Sequence, residues 1–420
     1  MEERLGPARV TAEPARRFAR FFGPGLVSGA SANDPTTVGS LAFVGATTGY
    51  GMAWLVILLL PMLAVVQAVA ASVAAVTQMS LQQAIARTYG RGPALLAMVA
   101  VAAIGLVTLG ADVQAGSEAL TLLTGIPFQY FVIPIVAAIG WMLATKSYLK
   151  IERLLAWLTL IFLCYVASAI YARPDWGGVL RSIFIPRFEL SPLFVTGAIA
   201  LLGTTLTSYV YIWESIEVAE RRPDSSKLRA VTTDAVLGML VAGSSFLFIL
   251  IATAATLGTR HAAIATAAEA AAALRPLAGA WDQDLFAVGL LASAAIAVPV
   301  IAATNGYVVA QTFERRAGLA LAPSEARLFY GAIFATLAGG GGFALLPIPT
   351  ISLLYGVSVA AGLATPITLI LTMLVARNRE TMRARPIGAP LVWAGWAVTA
   401  VVTLSSLVFV IAGARQLLHA

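Results

Sequence analysis

Long apolar runs dominate this chain and restrict it to folding within a membrane. Only 11% of its 420 residues are charged, whereas soluble domains carry about 25%. Helices satisfy their own backbone hydrogen bonds inside lipid, so the runs predict an all-α membrane protein. Eleven stretches are long enough to cross a hydrocarbon core of about 30 Å, and they cover residues 21–46, 50–77, 94–124, 128–146, 151–172, 192–219, 231–258, 284–312, 328–347, 349–376 and 388–412.

The basic residues are unevenly divided between the two sides of the membrane that these predicted transmembrane helices, about 11 in number, would cross. With the N-terminus inside, 21 of the 27 Lys and Arg residues fall in inner segments and 6 in outer segments. Such a bias predicts a cytoplasmic N-terminus and an outer C-terminus in the inner (plasma) membrane. Residues 1–20 are basic and lack the apolar core of a signal peptide, so we expect a cytoplasmic tail. Alanine-rich residues 260–279 predict a surface helix outside the membrane.

The first apolar run is interrupted by Asp34 and Pro35. Proline removes a backbone donor and pushes the preceding residue out of helical geometry, and Gly29 and Gly39 weaken the helix further. An unwound segment in a bilayer is tolerated only where it lines a cavity or packs within protein. The alternative is a kinked helix whose Asp34 pairs with a neighbour, although no Lys or Arg lies deep enough in the membrane to be that partner.

The sixth run repeats this interruption at residues 203–208, where a glycine is followed by threonines and a serine. Hydroxyl groups that bond to their own helix can also bend it without any ligand. Interruptions at matching positions of two halves nevertheless indicate an inverted-repeat transporter with a binding site at the midplane. We therefore predict a single transporter domain over residues 21–420, with a 5+5 repeat (21–172 and 192–376) and an extra helix at 388–412.

The two interrupted helices offer oxygen ligands alone. An all-oxygen set with one carboxylate favours Mg²⁺, Ca²⁺ or Mn²⁺ over soft metals, and with so few protein ligands Mg²⁺ would keep several waters. No Walker loop, HExxH or CxxC motif indicates an enzyme, so we expect no catalysis and no cofactor besides the transported ion. The predicted metal ligands are Asp34, Thr37, Thr204, Thr205 and Thr207.

Further acids lie within the predicted spans, where ionisable residues mark functional sites by default. Asp112, Glu118 and Glu214 are predicted to line a vestibule or to carry protons. For Asp112 and Glu118 the alternative is helix packing with hydrogen-bonded partners. The net charge of +7 follows from the topology, so we expect a divalent cation and the lipid bilayer as partners, with no nucleic acid and no obligatory protein partner.

The chain resembles the NRAMP family of divalent-metal transporters nearly from end to end. The resemblance is carried by the first two runs, with Asp-Pro where the family has Asp-Pro-Gly-Asn, and by "KSYLKIERLLAWLTLIFLCYV", "DWGGVLRSIFIP" and "LTGIPF". It implies the LeuT-like 5+5 inverted-repeat fold with helices 1 and 6 unwound at the midplane. It also implies alternating access and metal coordination from those two helices.

The departures from the family pattern concern its metal and proton ligands. The family's Gly and Asn fall at Thr36 and Thr37, its metal-binding Met at Thr207, and its two sixth-helix histidines at Tyr209 and Glu214. The family's third-helix Asp and Glu fall at Leu109 and Asp112, and its tenth-helix Gln falls at Ser358. These losses are similar to those of the NRAMP-related magnesium transporters, which "GASANDP" and "GTTLTSYVYIWESIEVAE" also resemble.

The sequence therefore predicts transport of a divalent cation, most of all Mg²⁺ with Mn²⁺ accepted, without obligatory proton coupling. Losing a thioether removes a ligand that discriminates against abundant hard ions. Two alternatives stay open. One is a proton-coupled Mn²⁺/Fe²⁺ symporter of the ordinary NRAMP type, and the other is a Na⁺-coupled carrier of a small organic solute on the same fold.

Overall fold

The computed structural model describes residue 29 and residues 32–145, 163–189, 191–222, 228–258, 263–382 and 386–419. The predicted N-terminal tail and most of the fifth apolar run lie outside these ranges. Throughout the described ranges the secondary structure is helical, and they contain no strand. The predicted all-α class is therefore confirmed for this part of the chain.

The first seven α-helices lie in the N-terminal part of the chain. They are α1 (Pro35–Thr48), α2 (Ala53–Thr77), α3 (Leu81–Tyr89), α4 (Arg91–Thr124), α5 (Gln129–Ala144), α6 (Leu163–Tyr171) and α7 (Trp176–Phe184). A 3₁₀ turn, Gly49–Met52, joins α1 to α2. Nine more follow: α8 (Pro192–Thr205), α9 (Ser208–Arg221), α10 (Leu228–Thr256), α11 (Ala267–Ala271), α12 (Arg275–Ala278), α13 (Asp282–Thr312), α14 (Arg327–Ala344), α15 (Thr350–Arg377) and α16 (Ala389–His419).

All eleven predicted runs carry helix within the described residues. Seven helical segments there are long and apolar enough to span a membrane, and Pro35–Thr77 and Pro192–Arg221 each hold two helices. The ninth and tenth predicted runs are separate helices, because α14 ends at Ala344 and α15 begins at Thr350.

The alanine-rich segment differs from its prediction as one surface helix. It forms α11 and α12 with 3₁₀ turns around them, and it packs into the core through Ala270, Ala273 and Leu274. Alanine side chains are small enough to be buried in close helix contacts, so alanine content alone did not indicate an exposed face.

Helix α1 lies in the centre of the packing. It contacts α10, α15, α8 and α4, and α4 in turn runs along α13. Twelve of the fourteen residues of α1 are buried, and all twelve lie between Pro35 and Thr47. A helix that is buried on nearly all sides has no amphipathic pattern from which its orientation could be predicted. Here its polar residues face other helices rather than water.

Glycines allow α8 and α15 to approach at backbone distance. A Cβ built on Gly362 of α15 would lie 2.5 Å from the carbonyl oxygen of Ile199 in α8. Gly203, which we expected to loosen its helix, lies inside α8 against the Ser358 carbonyl and the backbone of Gly362. Small residues at helix interfaces permit such close packing in membranes.

We predict that Gly362→Ala destabilises the protein by about 1–3 kcal/mol, because the added methyl group forces α8 and α15 apart. Gly356→Ala is the matched control on the same helix, since nothing lies within 4 Å of its added Cβ. The thermal unfolding midpoint in detergent measures both. Equal midpoints for the two variants would contradict the close contact.

Candidate metal site

The first helix interruption is built by Asp34 and Pro35. Asp34 has an extended backbone and is the N-cap of α1, where its Oδ1 accepts a hydrogen bond of 2.6 Å from the Thr37 backbone N–H. Pro35 follows at the first helical position, which has no need of a backbone donor. The sequence thus starts a helix in the middle of an apolar run, as the predicted interruption requires.

The second interruption lies between α8 and α9. Helix α8 ends at Thr205, Leu206 forms its C-cap, and Thr207 is extended with φ −58° and ψ 137° before α9 begins at Ser208. The last carbonyl groups of a helix have no partner further along it. The end of α8 therefore presents oxygen atoms with partial negative charge.

Two side-chain contacts join the interrupted helices. The Thr37 and Thr204 hydroxyls lie 2.8 Å apart and share a hydrogen bond. Tyr209, in the first turn of α9, donates its hydroxyl to Asp34 Oδ2 at 2.9 Å. The tyrosine stands where the resemblance places a family histidine, and nothing else in the sequence indicates that its hydroxyl reaches Asp34.

Asp112 of α4 forms a second carboxylate beside the start of α1. Its Oδ1 accepts hydrogen bonds from the Thr36 hydroxyl at 2.6 Å and from the Thr36 backbone N–H at 3.2 Å. Asp112 is fully buried. Its predicted place in a vestibule or proton path, and the alternative of helix packing with a hydrogen-bonded partner, both stay predictions.

Three buried oxygen atoms near these contacts have no hydrogen-bond partner in the described part of the chain. They are Thr205 Oγ1, Thr207 Oγ1 and Asp112 Oδ2. Buried polar atoms are nearly always paired in folded proteins, so unpaired atoms of this kind are candidate ligands for an ion or for water. Oxygen atoms of this kind suit a hard cation.

The five predicted ligands lie at the two interruptions, and all are buried. None of Asp34, Thr37, Thr204, Thr205 and Thr207 is more than 3% exposed. The described ranges contain no group of three or more His, Cys, Asp or Glu side chains able to hold a metal ion. An ion bound here would therefore rely on hydroxyl and carbonyl oxygens beside one or two carboxylates.

Glu118 and Glu214 are separate from this centre. Glu118 is half-buried on α4, beside Thr350 at the start of α15. Glu214 is buried on α9, more than one helical turn beyond Tyr209. Their predicted roles in a vestibule or proton path stay predictions.

The residues that hold the non-helical segment before Asp34 were not predicted from the sequence. Asn33 accepts a 2.7 Å hydrogen bond from Ser245 of α10 and donates one of 3.3 Å to the Ala242 carbonyl. Ser293 of α13 donates to the Asn33 carbonyl oxygen. Small polar residues in the middle of the seventh and eighth apolar runs were the available signal.

Helix ends and charges together make this centre suited to a cation. The C-terminal end of α8 attracts positive charge, whereas the N-terminal end of α1 repels it. Asp34 and Asp112 both accept N–H groups of that α1 end and add negative charge there. A cation next to two carboxylates would relieve their mutual repulsion.

Comparisons with known proteins agree with this architecture. The sequence matches the family described as "Natural resistance-associated macrophage protein-like" over residues 25–412. The "Divalent metal cation transporter MntH" of Mesorhizobium japonicum is 28% identical over 354 residues, covering 81% of this chain and 75% of that protein.

Solved structures show the same fold. A variant of the Eremococcus coleocola manganese transporter superposes with a TM-score of 0.74 at 19% identity, covering 96% of this chain and 88% of that one. Mhp1, a nucleobase-cation-symport-1 family transporter, gives a TM-score of 0.57 at 18% identity, covering 93% and 90%. The predicted LeuT-like inverted-repeat fold is confirmed.

We predict that Thr36→Val destabilises the protein by about 1–3 kcal/mol, because the buried Asp112 carboxylate loses a hydroxyl donor that valine cannot replace. Thr304→Val is the matched control, since Thr304 is equally buried and its hydroxyl bonds only to Val300 in its own helix. Thermal unfolding in detergent compares the two. A control as unstable as Thr36→Val would show that the Asp112 contact contributes nothing.

Proposed function

This chain belongs to the natural resistance-associated macrophage protein-like family of membrane transporters, and we propose that its cargo is a divalent cation, Mg²⁺ foremost with Mn²⁺ accepted. Transport runs down the electrochemical gradient of the ion by alternating access, without obligatory proton coupling. The protein sits in the inner (plasma) membrane with its N-terminus in the cytoplasm.

One observation carries this proposal: the side chains that hydrogen-bond across the two helix interruptions do so through oxygen. The Thr37 and Thr204 hydroxyls share a hydrogen bond, and the Tyr209 hydroxyl donates to the Asp34 carboxylate. Hard oxygen ligands favour Mg²⁺ and Mn²⁺ over softer metals. With so few charged ligands, Mg²⁺ would keep several of its waters.

The role of each residue follows from its position. Asp34 supplies the anionic ligand, and an arriving ion competes with the Tyr209 hydroxyl for its Oδ2. Thr205 and Thr207, whose hydroxyls have no protein partner, contact the ion or its waters. Asp112 adds negative charge through Thr36 without being a direct ligand.

Burial of the centre supports alternating access. With its ligands at most 3% exposed, an ion can enter or leave only if the helices around it move. A small buried cluster joins the C-terminal ends of α2 and α9 to the N-terminal part of α10, and it is formed by Ala71, Ala74, Ala75, Val218 and Ala235. These residues lie on the predicted cytoplasmic side, where the cluster would have to separate to open an inward path.

A second candidate function is transport selective for manganese and coupled to protons. Its choice of metal is favoured by the similar proteins, which are a divalent metal cation transporter and a manganese transporter. In that case Asp112, Glu118 or Glu214 would carry the proton. A Na⁺-coupled carrier of an organic solute is the third candidate, and divalent metal ions would not block its transport.

We predict that a large excess of Mg²⁺ strongly suppresses Mn²⁺ uptake into proteoliposomes of the purified protein, because both ions compete for the same oxygen ligands. A pH-sensitive dye inside the vesicles should report no proton entry with the metal. Uptake indifferent to Mg²⁺ would favour the manganese-selective candidate, proton entry would favour the symporter, and dependence on Na⁺ would favour the solute carrier.

Asp34→Asn tests the proposed anionic ligand in the same assay. Asparagine is as good an N-cap as aspartate, so α1 keeps its start and the protein stays folded. The ion loses its anionic ligand, and uptake should fall to the level of empty vesicles. Unchanged uptake by the folded variant would show that the cation site lies elsewhere.

We predict that Thr207→Met raises the ratio of Cd²⁺ to Mg²⁺ transport by about tenfold, because a thioether is a soft ligand that prefers Cd²⁺. Thr207→Leu has a similar volume without sulfur and separates ligand chemistry from a change of shape. Competition assays with each ion give the ratio. Equal ratios in the Met and Leu variants would mean that residue 207 does not face the ion.

A further inference from the structure

We infer that the junction of α15 and α16 binds the headgroup of an anionic phospholipid. A cavity of about 840 Å³ lies where α15 ends and α16 begins. It is distant in sequence from both helix interruptions, and the transport mechanism above makes no use of it. By the predicted topology it opens at the cytoplasmic membrane surface, where anionic lipids attract basic side chains.

Charge is the first argument for this occupant. Arg377 and Arg379 line the cavity, and no Asp or Glu is among its lining residues. In the described part of the chain neither arginine forms an ion pair with a carboxylate, since the single pair there is Arg275 with Asp282. Guanidinium groups match the geometry of phosphate oxygens through paired N–H donors.

Tryptophans provide the second argument. Trp393 and Trp396 line the same cavity from α16, and Trp393 is 72% exposed. The indole N–H of Trp396 is buried and has no hydrogen-bond acceptor among the described residues. Tryptophan prefers the membrane interface, where its ring contacts acyl chains and its N–H reaches a headgroup.

Access from the bilayer favours a lipid over a soluble anion. Helix α16 is the least enclosed of the candidate spans, with only 22% of its apolar window buried. The cavity wall also includes apolar side chains, Ala376 and Val392 among them. A phospholipid can therefore place its phosphate by the arginines while its chains follow the lipid-facing side of α16.

The test compares retention of lipid by the full-length protein. Protein purified in mild detergent is incubated with equal amounts of phosphatidylglycerol and phosphatidylcholine, and bound lipid is counted by native mass spectrometry. We expect preferential retention of phosphatidylglycerol. The double variant Arg377→Gln with Arg379→Gln should lose this preference by on the order of tenfold, given the attraction of each arginine to an anionic headgroup.

The matched control is the double variant Arg315→Gln with Arg316→Gln. Both of these arginines are exposed, lie on the same predicted face and do not line the cavity, and the change in net charge is the same. The control should retain phosphatidylglycerol as the unmodified protein does. Equal losses in both variants would overturn the site in favour of general surface attraction, and no loss in either would overturn it outright.

A soluble-anion arm separates the two sources of phosphate. Stabilisation against heat is measured with phosphatidylglycerol and, separately, with millimolar glycerol phosphate. The lipid should raise the unfolding midpoint in the unmodified protein but not in the Arg377/Arg379 variant. An equal, arginine-dependent rise with glycerol phosphate alone would show that a free anion occupies the cavity, and the lipid proposal would then fail.

Discussion

The centre of this protein depends on the interaction of the buried Asp34 carboxylate with the backbone N–H groups at the start of α1. A helix beginning in the middle of an apolar run leaves backbone N–H groups that lipid cannot satisfy. Asp34 accepts one of them, from Thr37, and Asp112 accepts another, from Thr36. The same two carboxylates place negative charge deep among the helices, where only a cation, a proton or hydrogen-bond donors can compensate it.

Close packing of the second interrupted helix brings its oxygen atoms to that charge. The backbone contact at Gly203 and Gly362 holds α8 against α15, and α15 also contacts α1, where Ser358 and Ser40 share a hydrogen bond of 2.7 Å. The end of α8 is thereby fixed beside the start of α1, and Thr204 meets Thr37. Because hard cations are selected by the number and arrangement of oxygen ligands, this packing would set the selectivity of the proposed cation site together with its ligands.

Burial and function oppose each other at this centre. Every oxygen atom enclosed without a partner is costly in free energy, and Thr205, Thr207 and Asp112 each contribute one such atom. A bound ion with its waters would offset that cost. A closed arrangement of this kind, with Ala71 and Val218 packed between helices on one side, is compatible with the proposed alternating access.

The sequence alone determined the membrane class, the helical runs, the two interruptions and the position of Asp34 at the first of them. It could do so because hydropathy, proline and intramembrane charge act locally along the chain. It could not determine which side chains meet. Tyr209 contacts Asp34 from a residue 175 positions away, Asp112 reaches Thr36 from 76 away, and Ser245 and Ser293 hold Asn33 from still further. Those pairings, and the cavity between α15 and α16, follow from how the helices cross. Only the tertiary structure decided them, because side-chain contacts between helices leave no periodic pattern in the sequence.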